Sequence, residues 1–237
     1  WDLYLTVRFL TFKKVRNLIS VGFQNIFFRL LKVNGYPYKL TVDLTANCNL
    51  HCPSCPTGQN DKNRKRGNMV FSDFKNLIGE TGKYLVDIDL FNWGEPFLNK
   101  EVFKMISLCN ANKIKTRISS NLNYFPKGYE IKLVESKLHH LVVSLDGITQ
   151  ESYSKYRVGG TIDKVLDAVK RISQERKKRK SEFPFLTWQF LVMEHNEDEV
   201  VEAIELYKKW GFDRIIFQRD RGDMGKELFK NSPKKTV

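Results

Sequence analysis

Between Lys39 and Phe217 the chain alternates short runs rich in β-branched and aromatic residues with longer runs of helical period, and few folds accept that order. Strands are expected at Lys39 to Thr45, Leu85 to Phe91, Lys115 to Ser120, Leu141 to Leu145, Thr187 to Val192 and Arg214 to Phe217. Helices are expected between them, at Phe71 to Lys83, Lys100 to Asn110, Tyr129 to Ser136, Thr161 to Lys178 and Glu197 to Trp210. One helix between each pair of strands dictates parallel βαβ units. Right-handed crossovers then wrap the units into an open or partial barrel, with an α/β partial (β/α)6 TIM-like barrel as the expected fold and working loops at the carboxyl ends of its strands.

A chain of 237 residues, 41% of them hydrophobic, can bury one sizeable core with an appendage. Asn34-Gly35-Tyr36-Pro37 punctuates the chain, so the expected division is a basic helical extension over 1–37, the barrel over 38–218 and a tail over 219–237. In the extension Leu5, Phe9, Ile19, Phe23, Phe27, Phe28 and Leu31 interleave with Arg8, Lys13, Lys14, Arg16, Arg29 and Lys32, and Asp2 is the sole acid. Such an amphipathic stretch can make peripheral membrane contact through residues 1–32. Packing against its own barrel is the competing reading and the preferred one.

No run of about 18 uncharged apolar residues occurs, so a spanning helix is not expected. No secretory signal opens the chain, and the cytoplasm, with contact at the cytoplasmic membrane face as the variant, is the expected address. A formal charge of +13 favours acidic partners, though charge alone does not choose among phosphorylated substrates, anionic lipid and nucleic acid. A solvated basic surface fits as well, and nucleic acid is not expected.

Three of the four cysteines, Cys48, Cys52 and Cys55, form a CxxxCxxC loop just after the first strand. Disulfide frameworks usually link distant segments, so these residues read as metal ligands. Two metals compete. A structural zinc site would need a fourth ligand, Cys109 or His51, and usually pairs two separated knuckles. Cys109 lies in an apolar-periodic helix and reads as a core cysteine. Three thiolates on one short loop can instead wrap three corners of an iron–sulfur cube, with one iron left open.

With the strand-end segments added, the chain resembles the radical S-adenosylmethionine (SAM) superfamily. Asn92-Trp93-Gly94-Glu95-Pro96 resembles its GGE-type segment, which holds the SAM amino group largely through backbone. Ser119-Ser120-Asn121 stands where many members have a Ser-Thr-Asn-Gly turn, and Val143-Ser144-Leu145-Asp146-Gly147 resembles the fourth-strand Ser-Ile-Asp-Gly segment. Tyr156-Arg157-Val158-Gly159-Gly160 and Trp188-Gln189-Phe190-Leu191-Val192 extend the likeness to SPASM-type members. The resemblance implies a [4Fe-4S] cluster on Cys48, Cys52 and Cys55, and SAM contacts from Gly94, Glu95, Ser120, Asn121, Ser144, Asp146 and Gln189.

It further implies reductive cleavage of SAM to a 5′-deoxyadenosyl radical, fed by an electron donor such as flavodoxin or ferredoxin. Hydrogen abstraction from a small-molecule or peptide substrate would follow, with epimerisation, dehydrogenation or rearrangement of a peptide or sugar-derived metabolite as outcomes. If a base is needed, Asp89 and Asp43 are the candidates. The chain departs from the pattern at Ser54, where a bulky residue is common, and at Leu122, where the turn often has glycine. No cysteine follows Cys109, so auxiliary SPASM clusters have no ligands in this chain. The competing functions are a metal-stabilised binding module and a membrane-associated scaffold without catalysis.

Overall fold

The computed structural model describes residues 2–28, 34–59 and 65–219. Residues 29–32 of the basic extension and the expected tail beyond residue 219 lie outside the described residues. Six strands, β1 (Lys39–Thr41), β2 (Asp87–Asp89), β3 (Lys115–Ser120), β4 (His140–Ser144), β5 (Phe185–Val192) and β6 (Arg214–Arg219), form one sheet in the order of the sequence. Every neighbouring pair is parallel, as the βα alternation requires. The sheet curls into a partial (β/α)6 barrel.

Two helices open the chain, α1 (Asp2–Phe9) and α2 (Phe12–Phe23), the latter continued by a π-helical turn over Gln24–Phe28. Six more cover the barrel: α3 (Phe71–Thr81), α4 (Val102–Ala111), α5 (Tyr129–Ser136), α6 (Gln150–Tyr156), α7 (Ile162–Lys178) and α8 (Val200–Lys209). Alternation along each strand sorts its residues between helices and barrel interior. Ile88, Ile118, Leu141, Val143, Leu186, Trp188 and Phe190 face the helices and are fully buried. They meet Phe74, Met105, Ile106, Cys109, Leu133, Val165, Val169 and Ile172 in one continuous core. Trp188, the largest of these side chains, satisfies its ring N–H on the Leu145 carbonyl at 2.5 Å.

β1 and β2 are shorter than expected, three residues each. Past Thr41 the backbone turns away, and Asp43 lies 3.4 Å from the amides of Trp93 and Gly94. Asp43 and Thr45 therefore belong to a loop rather than to a strand face. Asp87 and Asp89 do share a face, salt-bridged to Lys115 at 3.0 Å and Arg117 at 2.7 Å on the neighbouring strand. α6 has no counterpart among the expected helices. Its sequence QESYSKY lacks an apolar stripe, but Thr149 and Ser152 form a capping box and Tyr153 is fully buried.

α2 packs on the barrel end that carries the strands' amino termini. Its Lys14, 1% exposed, donates to the carbonyls of Asn112 and Lys113 just past α4, and its Asn17 exchanges two hydrogen bonds with the Tyr36 backbone. Phe9 meets the His139 ring edge-on at 4.8 Å. The preferred reading of the extension, packing against its own barrel, describes this contact. Among the described residues no helix is long and apolar enough to cross a membrane.

Candidate active site at the mouth of the barrel

The cysteine loop begins with Cys48, seven residues past the end of β1, and is pinned from four sides. Leu44 and Leu50 anchor it in the core. Asn99 donates to the carbonyls of Leu44 and Met69 at 2.8 and 2.9 Å. His51 N–H donates to the Val158 carbonyl beyond α6, and Glu95 N–H to the Asn47 carbonyl, at 2.9 and 2.8 Å. A loop so held presents Cys48, Cys52 and Cys55 together on the wall of a cavity of ≈ 780 Å³ that runs down the barrel interior.

Gly94 explains how the second strand's end fits against this loop. A Cβ there would overlap the Thr45 carbonyl oxygen and stand 2.7 Å from the Thr45 carbonyl carbon and 3.1 Å from Asn47 O. Only glycine lets the two backbones approach this closely. Glu95, fully inside at 2% exposure, knits three strand ends together. Its carboxylate accepts from Ser120 Oγ at 2.7 Å, Asn121 N–H at 2.8 Å and Phe97 N–H at 3.2 Å. Burial raises this carboxyl to about 7, against the pull of those three donors. Its oxygens are spent on protein donors.

The remaining expected residues divide. Ser120, Asn121, Ser144 and Gln189 line the cavity, with Ser144 Oγ 3.4 Å from Ser119 Oγ. Asn121 also reaches Cys48 Sγ at 3.7 Å and Asn49 Oδ1 at 3.2 Å. Asp146 does not line the cavity. It is 0% exposed, salt-bridged to Arg157 at 2.6 Å and accepting from Leu191 N–H at 2.7 Å. Asp89 lines the cavity but is clasped by Arg117 through both oxygens, at 2.8 and 2.7 Å, and by Lys39 at 3.2 Å. Asp43 is a loop-holding residue. Neither acid is presented as an open base.

Arg157 is the residue that sequence reasoning quoted without a role. It lines the cavity at 15% side-chain exposure, with Cys52 Sγ 3.8 Å from its guanidinium. Burial alone would push the guanidinium down, but the Asp146 carboxylate and the Cys52 sulfur outweigh it and hold the proton firmly. Asp146, eleven positions earlier and expected as a SAM contact, is the acid that holds Arg157. Further down, Arg117, His140 and Arg214 line the interior, each aimed inward by alternation along its strand. Cys109 is elsewhere: it is fully buried in α4 among core side chains, where burial raises its thiol, and does not line the cavity.

Burial also raises the thiols of Cys48, to about 11, and of Cys52, so a metal centre must displace their protons to bind. Among the described residues no three His, Cys, Asp or Glu side chains converge where one ion could sit. A cube takes each thiolate on a different iron, which suits a spread arrangement. Ser54 Oγ and Thr57 Oγ1, inside the loop, are buried with no hydrogen-bond partner among the described residues. Two orphaned hydroxyls, a glycine cradle and three cysteines on one cavity wall fit an iron–sulfur cluster with an organic ligand beside it.

Fold and cavity together define a parallel α/β partial barrel with three cysteines on one wall of its mouth. Residues 42–207 match the profile described as Radical SAM superfamily, and the chain belongs to that family. The superfamily's cofactors are a [4Fe-4S] cluster and SAM. The chain is 24% identical over 183 residues to the AdoMet-dependent heme synthase of Methanosarcina barkeri, covering 77% of this chain and 50% of that protein. It is 26% identical over 174 residues to a GTP 3′,8-cyclase of Clostridium perfringens, covering 72% and 51%. Streptococcus suis SuiB bound to S-adenosylmethionine superposes with a TM-score of 0.70 at 17% identity, over 92% of this chain and 47% of that one. Methylornithine synthase (PylB) gives 0.62 at 13% identity, over 99% and 68%. These structural likenesses show the fold. The chain spans about half the length of the curated relatives it matches.

Proposed function

We propose that the chain is the SAM-cleaving barrel of a radical enzyme acting on a polar, anionic substrate. The observation that carries this reading is the shared cavity: three cysteines, the Gly94 backbone, Ser120, Asn121, Ser144 and Arg157 all line one space. When bound, a reduced [4Fe-4S] cluster supplies one electron to the sulfonium of SAM, giving methionine and a 5′-deoxyadenosyl radical that takes a hydrogen atom from substrate. Cys48, Cys52 and Cys55 would hold the cluster.

The protein's own groups would then position SAM. Arg157, kept charged by Asp146, would take its carboxylate, and backbone near Gly94 its amino group. Asn121 and Asn49 would fix the loop at Cys48. Below them the cavity carries Arg117, clasped to Asp89, and Arg214, two guanidinium groups that favour a substrate bearing carboxylate or phosphate. A peptide with acidic side chains meets that description as well as a phosphorylated metabolite does. SuiB has been crystallised with its precursor peptide SuiA, which supports the peptide form of the reading. Epimerisation, dehydrogenation and rearrangement all begin with the same abstraction. Since Cys109 is outside the cavity, a thiol that returns hydrogen is not supplied by the described residues.

The test is anaerobic reconstitution followed by reduction with SAM present. Release of 5′-deoxyadenosine and methionine is expected, and its loss on Cys52→Ala in a folded protein. Stoichiometric zinc in the folded chain with no 5′-deoxyadenosine would overturn the reading.

A further inference from the structure

We infer that the outer face of α2 and the π-turn after it is a docking surface for an anionic lipid bilayer, independent of the reaction at the barrel mouth. α2 is amphipathic in an inverted sense. The side it turns to the barrel carries Lys14 and Asn17, at 1% and 7% exposure, satisfied by backbone carbonyls and the Tyr36 peptide. The opposite side carries Phe12, Ile19 and Phe23, exposed by 80%, 66% and 51%. At 3.6 residues per turn these three lie within about 40° of one another. The stripe continues into the π-turn with Ile26 and Phe27, 74% and 67% exposed, where the Phe27 and Phe23 rings meet at 4.6 Å.

Exposed apolar side chains scattered singly need no explanation, but a continuous stripe on one helix does. Its charge names the occupant. Lys13 and Arg16 are exposed on one flank of the stripe and Arg8 on α1. Asp2 is the only acid before Asp43. A second copy of the chain would bring like charges together across the stripe, whereas lipid phosphates complement them. The geometry is compatible with activity: α2 sits at the strands' amino ends, so a bilayer there leaves the cysteine-lined mouth facing away.

The experiment is flotation of the whole chain with phosphatidylcholine vesicles, with and without about a third phosphatidylglycerol. Binding is expected only to the anionic vesicles, falling with salt. Lys13→Gln with Arg16→Gln should weaken it about twenty-fivefold, since each basic side chain near such a surface contributes roughly fivefold. Phe12→Ser, Ile19→Ser and Ile26→Ser together should abolish it, while the unfolding midpoint and 5′-deoxyadenosine formation stay unchanged. Absence of flotation at any composition overturns the inference, as does flotation indifferent to both sets of substitutions. A dimer that the triple variant dissociates, without lipid binding in the parent, would assign the stripe to a second copy and overturn it too.

Discussion

Gly94→Ala should be among the most damaging single-methyl additions available in this protein. The added Cβ overlaps the Thr45 carbonyl oxygen and stands 2.7 Å from its carbon, and both atoms are backbone at the root of the cysteine loop. Nothing there can rotate away, so the second strand's end must separate from the loop. Separation stretches the 2.8 Å bond from Glu95 N–H to the Asn47 carbonyl and the 3.4 Å approach of Gly94 N–H to Asp43. Overpacking costs about 1–3 kcal/mol and each stretched bond about 1, so a loss of roughly 4 kcal/mol is expected. Gly79→Ala is the matched control. It sits in α3 with nothing within 4 Å of the new Cβ, and should gain up to about 1 kcal/mol from helix propensity. Urea unfolding of the two metal-free variants, followed by iron and sulfide analysis after anaerobic reconstitution, measures the difference. A Gly94→Ala protein as stable as Gly79→Ala, with a full complement of iron, would refute the argument that this glycine lets strand and loop meet.

Three further outcomes follow from single contacts. Asp146→Ala strands the Arg157 guanidinium and should cost about 3 kcal/mol; Asp146→Ala with Arg157→Met should regain part of that stability while SAM binding, read by calorimetry, stays lost. His139 is fully buried with its Nδ1 accepting from Thr116 N–H at 3.0 Å, and burial lowers the imidazole to about 4. The unfolded chain takes up this proton near 6.5 and the folded one only near 4, so stability falls with pH between those values; the advantage of the parent over His139→Gln should shrink by up to about 3 kcal/mol between pH 7 and 4 in parallel urea titrations. Leu122 is buried yet left-handed, with φ 51°. Leu122→Gly should relieve about 1–2 kcal/mol of strain but lose a larger buried side chain, leaving thermal unfolding lower by a net of about 2 kcal/mol.

The barrel was legible because its strands announce themselves by alternation. Lys115–Ser120 repeats charged or polar then apolar or small, and its bounds match the expectation. α6 was hidden because capping and one buried tyrosine, not an apolar stripe, hold it. At the site the cysteines and the Gly94 segment could be read from spacing and resemblance. The roles of the acids could not, because a carboxylate's partner is set by strand register: Asp89 faces Arg117 only when β2 and β3 pair, 28 positions apart. Asp146 shows the same limit. One strand-end aspartate looks like another until the fold delivers Arg157 to it.

The central claim is that three thiolates leave one iron of a [4Fe-4S] cluster open for SAM. Electron paramagnetic resonance of the reduced, reconstituted chain tests it directly, recorded with and without SAM labelled in its carboxylate. The expected result is a cluster signal that shifts when SAM is added and couples to the label. A signal unmoved by SAM in a folded protein that retains its cluster would contradict it.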